Sequence, residues 1–195
     1  MTLTTENFQK WITSFSQKII EKKKYLSELD TPIGDGDHGN NMARGVKAIQ
    51  DSLKSNKPKD LKTAFRSVAM ALISKVGGAS GPLYGTAFLE MAKKSTDAPN
   101  LADLLDSALK GVKMRGAAKQ GDKTMVDVWE PVISALKKNK LTQKVIDDSI
   151  NSTKDMVAKK GRASYLGKRS TGHLDPGAVS SGYLFTSLLN TKGIL

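Results

Sequence analysis

Asp30-Thr-Pro-Ile-Gly-Asp-Gly-Asp-His-Gly-Asn-Asn-Met42 is the stretch on which the reading of this chain turns. It places three carboxylates within eight residues, among three glycines, a proline and two asparagines. Such a composition suits neither a helix interior nor a buried strand. It suits a turning loop that points several oxygens inward. Carboxylates this close repel one another unless a cation lies between them. Asp30, Asp35 and Asp37 therefore mark a site for a hard metal ion, set between two helical segments. The competing reading is that the three merely cap helices and brace turns.

Outward from this loop, helical spacing dominates on both sides. Phe8, Ile12, Phe15, Ile19 and Leu26 predict one face of a first helix, with Thr4 or Thr5 as its N-cap. Met42, Val46, Ile49 and Leu53 predict a second, and Asp60 caps a third that carries Leu61 to Val76. Gly77-Gly-Ala-Ser-Gly81 stops it, and Pro82 fits the first position of a fourth. A fifth helix starts near Asn100 and breaks between Gly116 and Gly121. A sixth covers Met125 to Leu136, where Pro131 must kink it or lie in its first turn. Thr142 caps a seventh, with Leu141 and Ile146 as a hydrophobic staple. A long loop from Gly161 to Gly172 precedes a last helix opened by Asp175-Pro176. No stretch alternates over strand length. The expectation is an all-α, single-domain bundle or barrel of about eight antiparallel helices over residues 1–195, with glycine-rich loops between them.

Composition narrows the function. A chain of 195 residues with 38% hydrophobic content supports one ordinary core. No apolar run approaches the ~20 residues of a membrane span, and the polar first residues do not resemble a secretory signal. Cysteine is absent, which excludes disulfides and thiolate metal sites. The expected address is cytoplasmic. The net charge of +12 rests on scattered clusters such as Lys22–Lys24 and Lys159/Lys160/Arg162. No nucleic-acid module accompanies them, so neither nucleic acid nor membrane is expected as a partner. The charge suits a solvated surface or an acidic partner.

Several segments carry chemistry. An EF-hand needs a glutamate at loop position twelve. Counted from Asp30 that position is Asn41, and from Asp35 it is Val46, so the spacing does not match a calcium hand. Magnesium keeps waters and phosphate oxygens beside a few carboxylates, which fits three Asp at an open turn. The loop runs into a helix near Asn40, and a helix start offers free N–H groups to phosphate. His38 lies between metal and helix. It is suited to bonding phosphate, to moving a proton or to bracing an Asp. Gly77 to Pro82 also precedes a helix, without the Gly-Lys-Ser/Thr of a Walker A loop. Gly116 to Met125 and Gly161 to Gly177 are two further glycine-marked loops.

Four blocks in order, Asp30 to Met42, Gly77-Gly-Ala-Ser-Gly-Pro-Leu-Tyr-Gly85, Gly121-Asp-Lys-Thr-Met-Val-Asp127 and Gly161 to Ala178, resemble the nucleotide-binding L subunit of dihydroxyacetone kinase. The resemblance implies a barrel of eight antiparallel helices with ADP in the loops at one end. It implies two Mg2+ held by Asp30, Asp35 and Asp37, and phosphates met by His38, Gly39, Asn40 and Asn41. Ala79 and Ser80 would lie beside the nucleotide, and Gly116 and Met125 would flank the adenine. Arg169 would face the transfer side, a catalytic role shared with His38. Asp175, Pro176 and Gly177 would close the site. With no sugar-binding domain following, the expectation is a separate subunit of the phosphotransferase-dependent enzyme. ADP would stay bound, take a phosphoryl group from a phosphohistidine on an M subunit, and pass it to dihydroxyacetone on a K subunit. A homodimer is compatible with this. Two alternatives are the nucleotide-binding domain of a fatty-acid kinase, where Thr replaces His38, and a non-catalytic partner of a regulator.

Overall fold

Thr4 starts the first helix through a reciprocal cap. Its hydroxyl accepts the Asn7 N–H at 3.2 Å, and the Asn7 side chain accepts the Thr4 N–H at 2.7 Å. The computed structural model describes residues 3–96 and 99–195. Among them are α1 (Thr5–Glu21), α2 (Lys23–Asp30), α3 (His38–Ser55), α4 (Leu61–Lys75), α5 (Ser80–Lys94), α6 (Leu101–Gly116), α7 (Val126–Lys137), α8 (Gln143–Ser152) and α9 (Pro176–Asn190). Two 3-10 segments, Thr153–Asp155 and Arg162–Ser170, lie between α8 and α9. No strand occurs among the described residues.

The helices close into a ring. Each from α3 to α9 packs on its successor, while α1 packs on both α9 and α3, so eight helices form an all-α barrel. Short connections make neighbours antiparallel. Hence α3, α5, α7 and α9 begin at one end, and α1, α4, α6 and α8 at the other. The interior holds Phe8, Trp11, Phe15, Phe65, Tyr84, Phe88, Trp129 and Phe185, all essentially without exposed surface. Phe8 meets Phe65 edge-on at 4.7 Å, and Trp129 meets Phe185 edge-on at 5.0 Å. Such pairs add about 0.5–1.5 kcal/mol beyond their area. The Trp11 indole donates to the Leu184 carbonyl at 2.8 Å, joining α1 to α9.

Two boundaries differ from the spacing. The single first helix through Leu26 is two helices, broken at Lys22 (φ −97°, ψ 8°). The positions where the apolar stripe should continue after Ile19 hold Lys22 and Lys23, so nothing buried keeps one axis until Leu26. Pro82 is the third residue of α5 rather than the first, still within the turn that needs no N–H. Pro131 lies inside α7, beyond its first turn. The Gly161–Gly172 loop is itself largely 3-10, bent at Gly167 (φ 54°, ψ −128°).

The turn from α2 to α3 is the part that positions the site, and it tolerates no side chain at two points. A Cβ on Gly34 would stand 2.0 Å from the Asp30 carboxylate. A Cβ on Gly39 would stand 1.9 Å from the Lys23 carbonyl oxygen, so α3 crosses α2 backbone to backbone. A backbone atom cannot swing away as a side chain can. Gly39→Ala should therefore destabilise the protein by at least ~2 kcal/mol, read as a lowered urea midpoint with an unchanged slope.

Candidate nucleotide and metal site

One cavity of about 430 Å³ opens at the end where α3, α5, α7 and α9 begin. That size lies in the range of small-molecule sites. Its lining includes the first residue of each of those helices: His38, Ser80, Val126 and Pro176. The helices that open away from the cavity each carry their own cap. Thr4, Asp60, Asn100 and Thr142 accept the N–H three residues on. Among the four that open into the cavity, only α9 has such a cap, from Asp175 to the Ala178 N–H at 2.7 Å. No side chain caps α5. α3 borrows the Asp30 carboxylate, which accepts the Asp37 and His38 N–H groups at 3.0 and 3.2 Å. At α7 the Thr124 hydroxyl accepts the Val126 N–H at 3.2 Å, and the Thr124 and Met125 carbonyls accept the Asp127 and Val128 N–H groups at 3.0 and 3.1 Å. Several helix dipoles thus point their positive ends at one space.

The negative counterpart sits on the rim. Ligand oxygens of Asp30, Asp35 and Asp37 lie within 4.8 Å of one another. Burial pushes Asp30 above the usual carboxylate range. Its two backbone N–H bonds oppose the shift, and the neighbouring Asp35 adds to it. An all-oxygen trio this tight fits a hard divalent ion. Arg162, from the 3-10 segment, reaches Asp35 at 2.9 Å and brings a cation to the trio from the opposite wall.

His38 faces inward. It is buried, and both ring nitrogens are engaged, Nε2 with Ser180 Oγ at 3.0 Å and Nδ1 with Ser80 Oγ at 3.2 Å. Tyr84 then links Ser180 and Ser181 at 2.8 and 2.9 Å, and Trp129 donates to Ser181 at 2.9 Å. Burial pulls the His38 pKa down to about 4, so the ring is neutral at pH 7. Asp175 is shifted the other way, to about 7, chiefly by burial. The Ala178 N–H opposes this shift, and Asp127 reinforces it.

Most sequence-predicted site residues meet at this cavity. Asp30, Asp35, Asp37, His38, Asn41, Ala79, Ser80, Gly116, Met125, Asp175, Pro176 and Gly177 all line it. Three do not. Gly39 is buried against α2, Asn40 is exposed, and Arg169 is exposed outside the lining. Arg162, which the sequence reading did not name as a site residue, lines the cavity. The bend at Gly167 separates the two arginines along their segment. Residues that the sequence reading did not single out include Leu83 and Val112, which add apolar wall, and Lys123. Lys123 is 1% exposed, although lysine patterning marks a surface residue. Its place in the Gly121–Asp127 block was the available signal.

With this geometry, the comparisons with known proteins fall into place. The chain belongs to the DAK2 domain family, whose model matches residues 32–190. It is 49% identical over 187 residues to the "PEP-dependent dihydroxyacetone kinase 1, ADP-binding subunit DhaL" of Listeria innocua, covering 94% of each chain. It is 46% identical to the "PTS-dependent dihydroxyacetone kinase, ADP-binding subunit DhaL" of Lactococcus lactis, covering 96% of this chain and 97% of that one. The resemblance to the L subunit, drawn from four sequence blocks, is borne out. Among solved structures, a dihydroxyacetone kinase of C. freundii, in complex with AMP-PNP and Mg2+, shares the fold at a TM-score of 0.76 and 24% identity. The match covers 93% of this chain and 33% of that one, so the chain spans about a third of that structure's length.

Asp175 gives the site a pH signature. An acid whose folded pKa is raised favours the folded state most below its unfolded pKa, 3.8, and loses that contribution as pH rises through about 7. In EDTA, Asp175→Asn should therefore stabilise the chain at pH 8, by up to about 4 kcal/mol, and the gain should fade toward pH 4. Urea unfolding of both chains across this range measures it, with His38 common to both.

Proposed function

We propose that this chain is the ADP-binding subunit of a phosphotransferase-dependent dihydroxyacetone kinase. The observation that carries it is the tight Asp30/Asp35/Asp37 trio on the rim of a cavity into which four helices open. The near full-length identity to ADP-binding subunits supports the same reading. A diphosphate needs cations and N–H donors; the trio would hold Mg2+, two ions in this reading, and the helix starts would supply the donors. Leu83, Val112, Gly116 and Met125 would form the apolar wall for the base. Met125 packs there as an adaptable side chain.

Bound ADP would serve as a relay, taking a phosphoryl group from a phosphohistidine on one partner and passing it to dihydroxyacetone on another. The chain's own work is positioning and charge neutralisation, which is most of what phosphoryl transfer asks of a protein. Asp30 holds the start of α3 against the metal side through the Asp37 and His38 amides. Neutral His38 orients the Ser80 hydroxyl at the start of α5. Arg162, rather than Arg169, is the arginine placed to meet developing charge, because its guanidinium already reaches the trio. The partners would be a K subunit and an M subunit, in the cytoplasm. The fatty-acid kinase and regulator-partner readings gain no specific support here.

Native mass spectrometry of the freshly purified chain tests this. Co-purifying ADP with two Mg2+ is expected, and a chain that neither carries nor takes up Mg·ADP would sink the reading. Asp35→Asn should weaken ADP retention at least ~100-fold through lost metal ligation, with far-UV circular dichroism unchanged. Arg162→Ala should cut phosphoryl transfer to reconstituted partners by ~100-fold or more, and Arg169→Ala by less than ~5-fold. The reverse order would return the role to Arg169.

A further inference from the structure

Beneath the cavity, one cation is embedded in backbone. Lys123 sits in the left-handed region (φ 61°) and is 1% exposed. Its ammonium donates to the Thr153 carbonyl at 2.7 Å and to the His173 carbonyl. These acceptors belong to two different segments, the short 3-10 turn after α8 and the approach to α9. Thr153 is itself fully buried, and its hydroxyl accepts the Asp175 N–H at 3.1 Å while donating to the Ile150 carbonyl at 2.7 Å. The backbone from 173 to 175 is therefore held from both sides, at a carbonyl by Lys123 and at an N–H by Thr153. Asp175 then caps α9. Next door, the Lys159 N–H donates to the Asp122 carbonyl at 3.0 Å, tying the loop of Lys123 to the segment between the two 3-10 turns.

We propose that Lys123 is a positioning residue for the nucleotide end of α9: with Thr153 it forms a clamp that sets the Asp175–Gly177 turn against the cavity whether or not metal is bound. Its relevance to ADP rests on the function proposed above; the clamp itself does not. A lysine is suited to the task because one ammonium can serve two carbonyls and still face the carboxylates around it. Asp127, Asp155 and Asp175 all favour its charged form against the burial that opposes it. An apolar side chain of equal length would leave two buried carbonyls without their donor.

The chain has no cysteine, so Lys123→Cys creates a single thiol that can be alkylated selectively in the urea-unfolded chain before refolding. Aminoethylation restores an ammonium at nearly lysine length, and carbamidomethylation supplies only a neutral amide. Hydrogen exchange of the ligand-free protein is the primary readout. In Lys123→Met and in the carbamidomethyl protein, the Asp175 and Ala178 amides should exchange at least ~10-fold faster, with helix content retained. Aminoethylation should bring both amides to within ~3-fold of the unmodified chain, and Mg·ADP affinity should follow the same order. Thr153→Val should loosen the same amides, and adding Lys123→Met should cause little further change, since both break one clamp. Unchanged amides in Lys123→Met, equal rescue by both alkylations, or strictly additive effects would overturn the clamp. If Lys123→Met does not fold, the two alkylated proteins and Thr153→Val decide the matter. Failure of the unmodified chain to bind Mg·ADP would contradict the nucleotide reading instead, and the exchange data would still judge the clamp.

Discussion

In an antiparallel ring of helices, every second helix must begin at the same end. That constraint organises this protein. Four helix starts, with the positive ends of their dipoles, are gathered around one cavity. The far end shows how a chain ordinarily handles the problem, with Thr4, Asp60, Asn100 and Thr142 each capping its own helix. At the cavity end the caps are absent, borrowed or incomplete, except at α9. An end left open in this way stores capacity to bind an anion.

The same end carries three crowded carboxylates, which is unfavourable for the empty protein and useful for a metal–phosphate ligand. Positive helix ends alone would bind any anion, and carboxylates alone any hard cation. Together, in the function proposed here, they would select a ligand that brings both charges in one piece. Asp30 joins the two systems, since one carboxylate both borders the trio and takes the first amides of α3. The floor is held by neutral hydrogen bonds that run from Ser80 through His38, Ser180, Tyr84 and Ser181 to Trp129. With His38 uncharged, this floor adds no charge of its own beneath the carboxylates.

Much of this was legible in the residues. Apolar spacing placed the helices, and Thr142, Asn100, Asp60 and Asp175 announced their starts because capping is a local interaction. The loop from Asp30 to Asp37 announced a cluster of carboxylates, and the fold brings their oxygens within 4.8 Å of one another. What escaped was non-local. The lack of a side chain at Gly39 serves the crossing of α2 and α3, which no local pattern reports. Arg162 lines the cavity and Arg169 does not, with a bend at Gly167 between them that no spacing rule reports. The partners of His38 and Lys123 lie up to 142 and 50 residues away, so the roles of these side chains emerge only when the ring closes. Lys22 and Lys23 broke a helix that the flanking apolar residues had seemed to make continuous.

The central claim is that cation and diphosphate are bound as one unit by the carboxylate trio and the open helix starts. Isothermal titration of the nucleotide-stripped chain with ADP, first in magnesium and then in EDTA, tests it most directly. Strong binding in magnesium that disappears in EDTA is the result this account predicts; equal binding in both, or binding in neither, would contradict it.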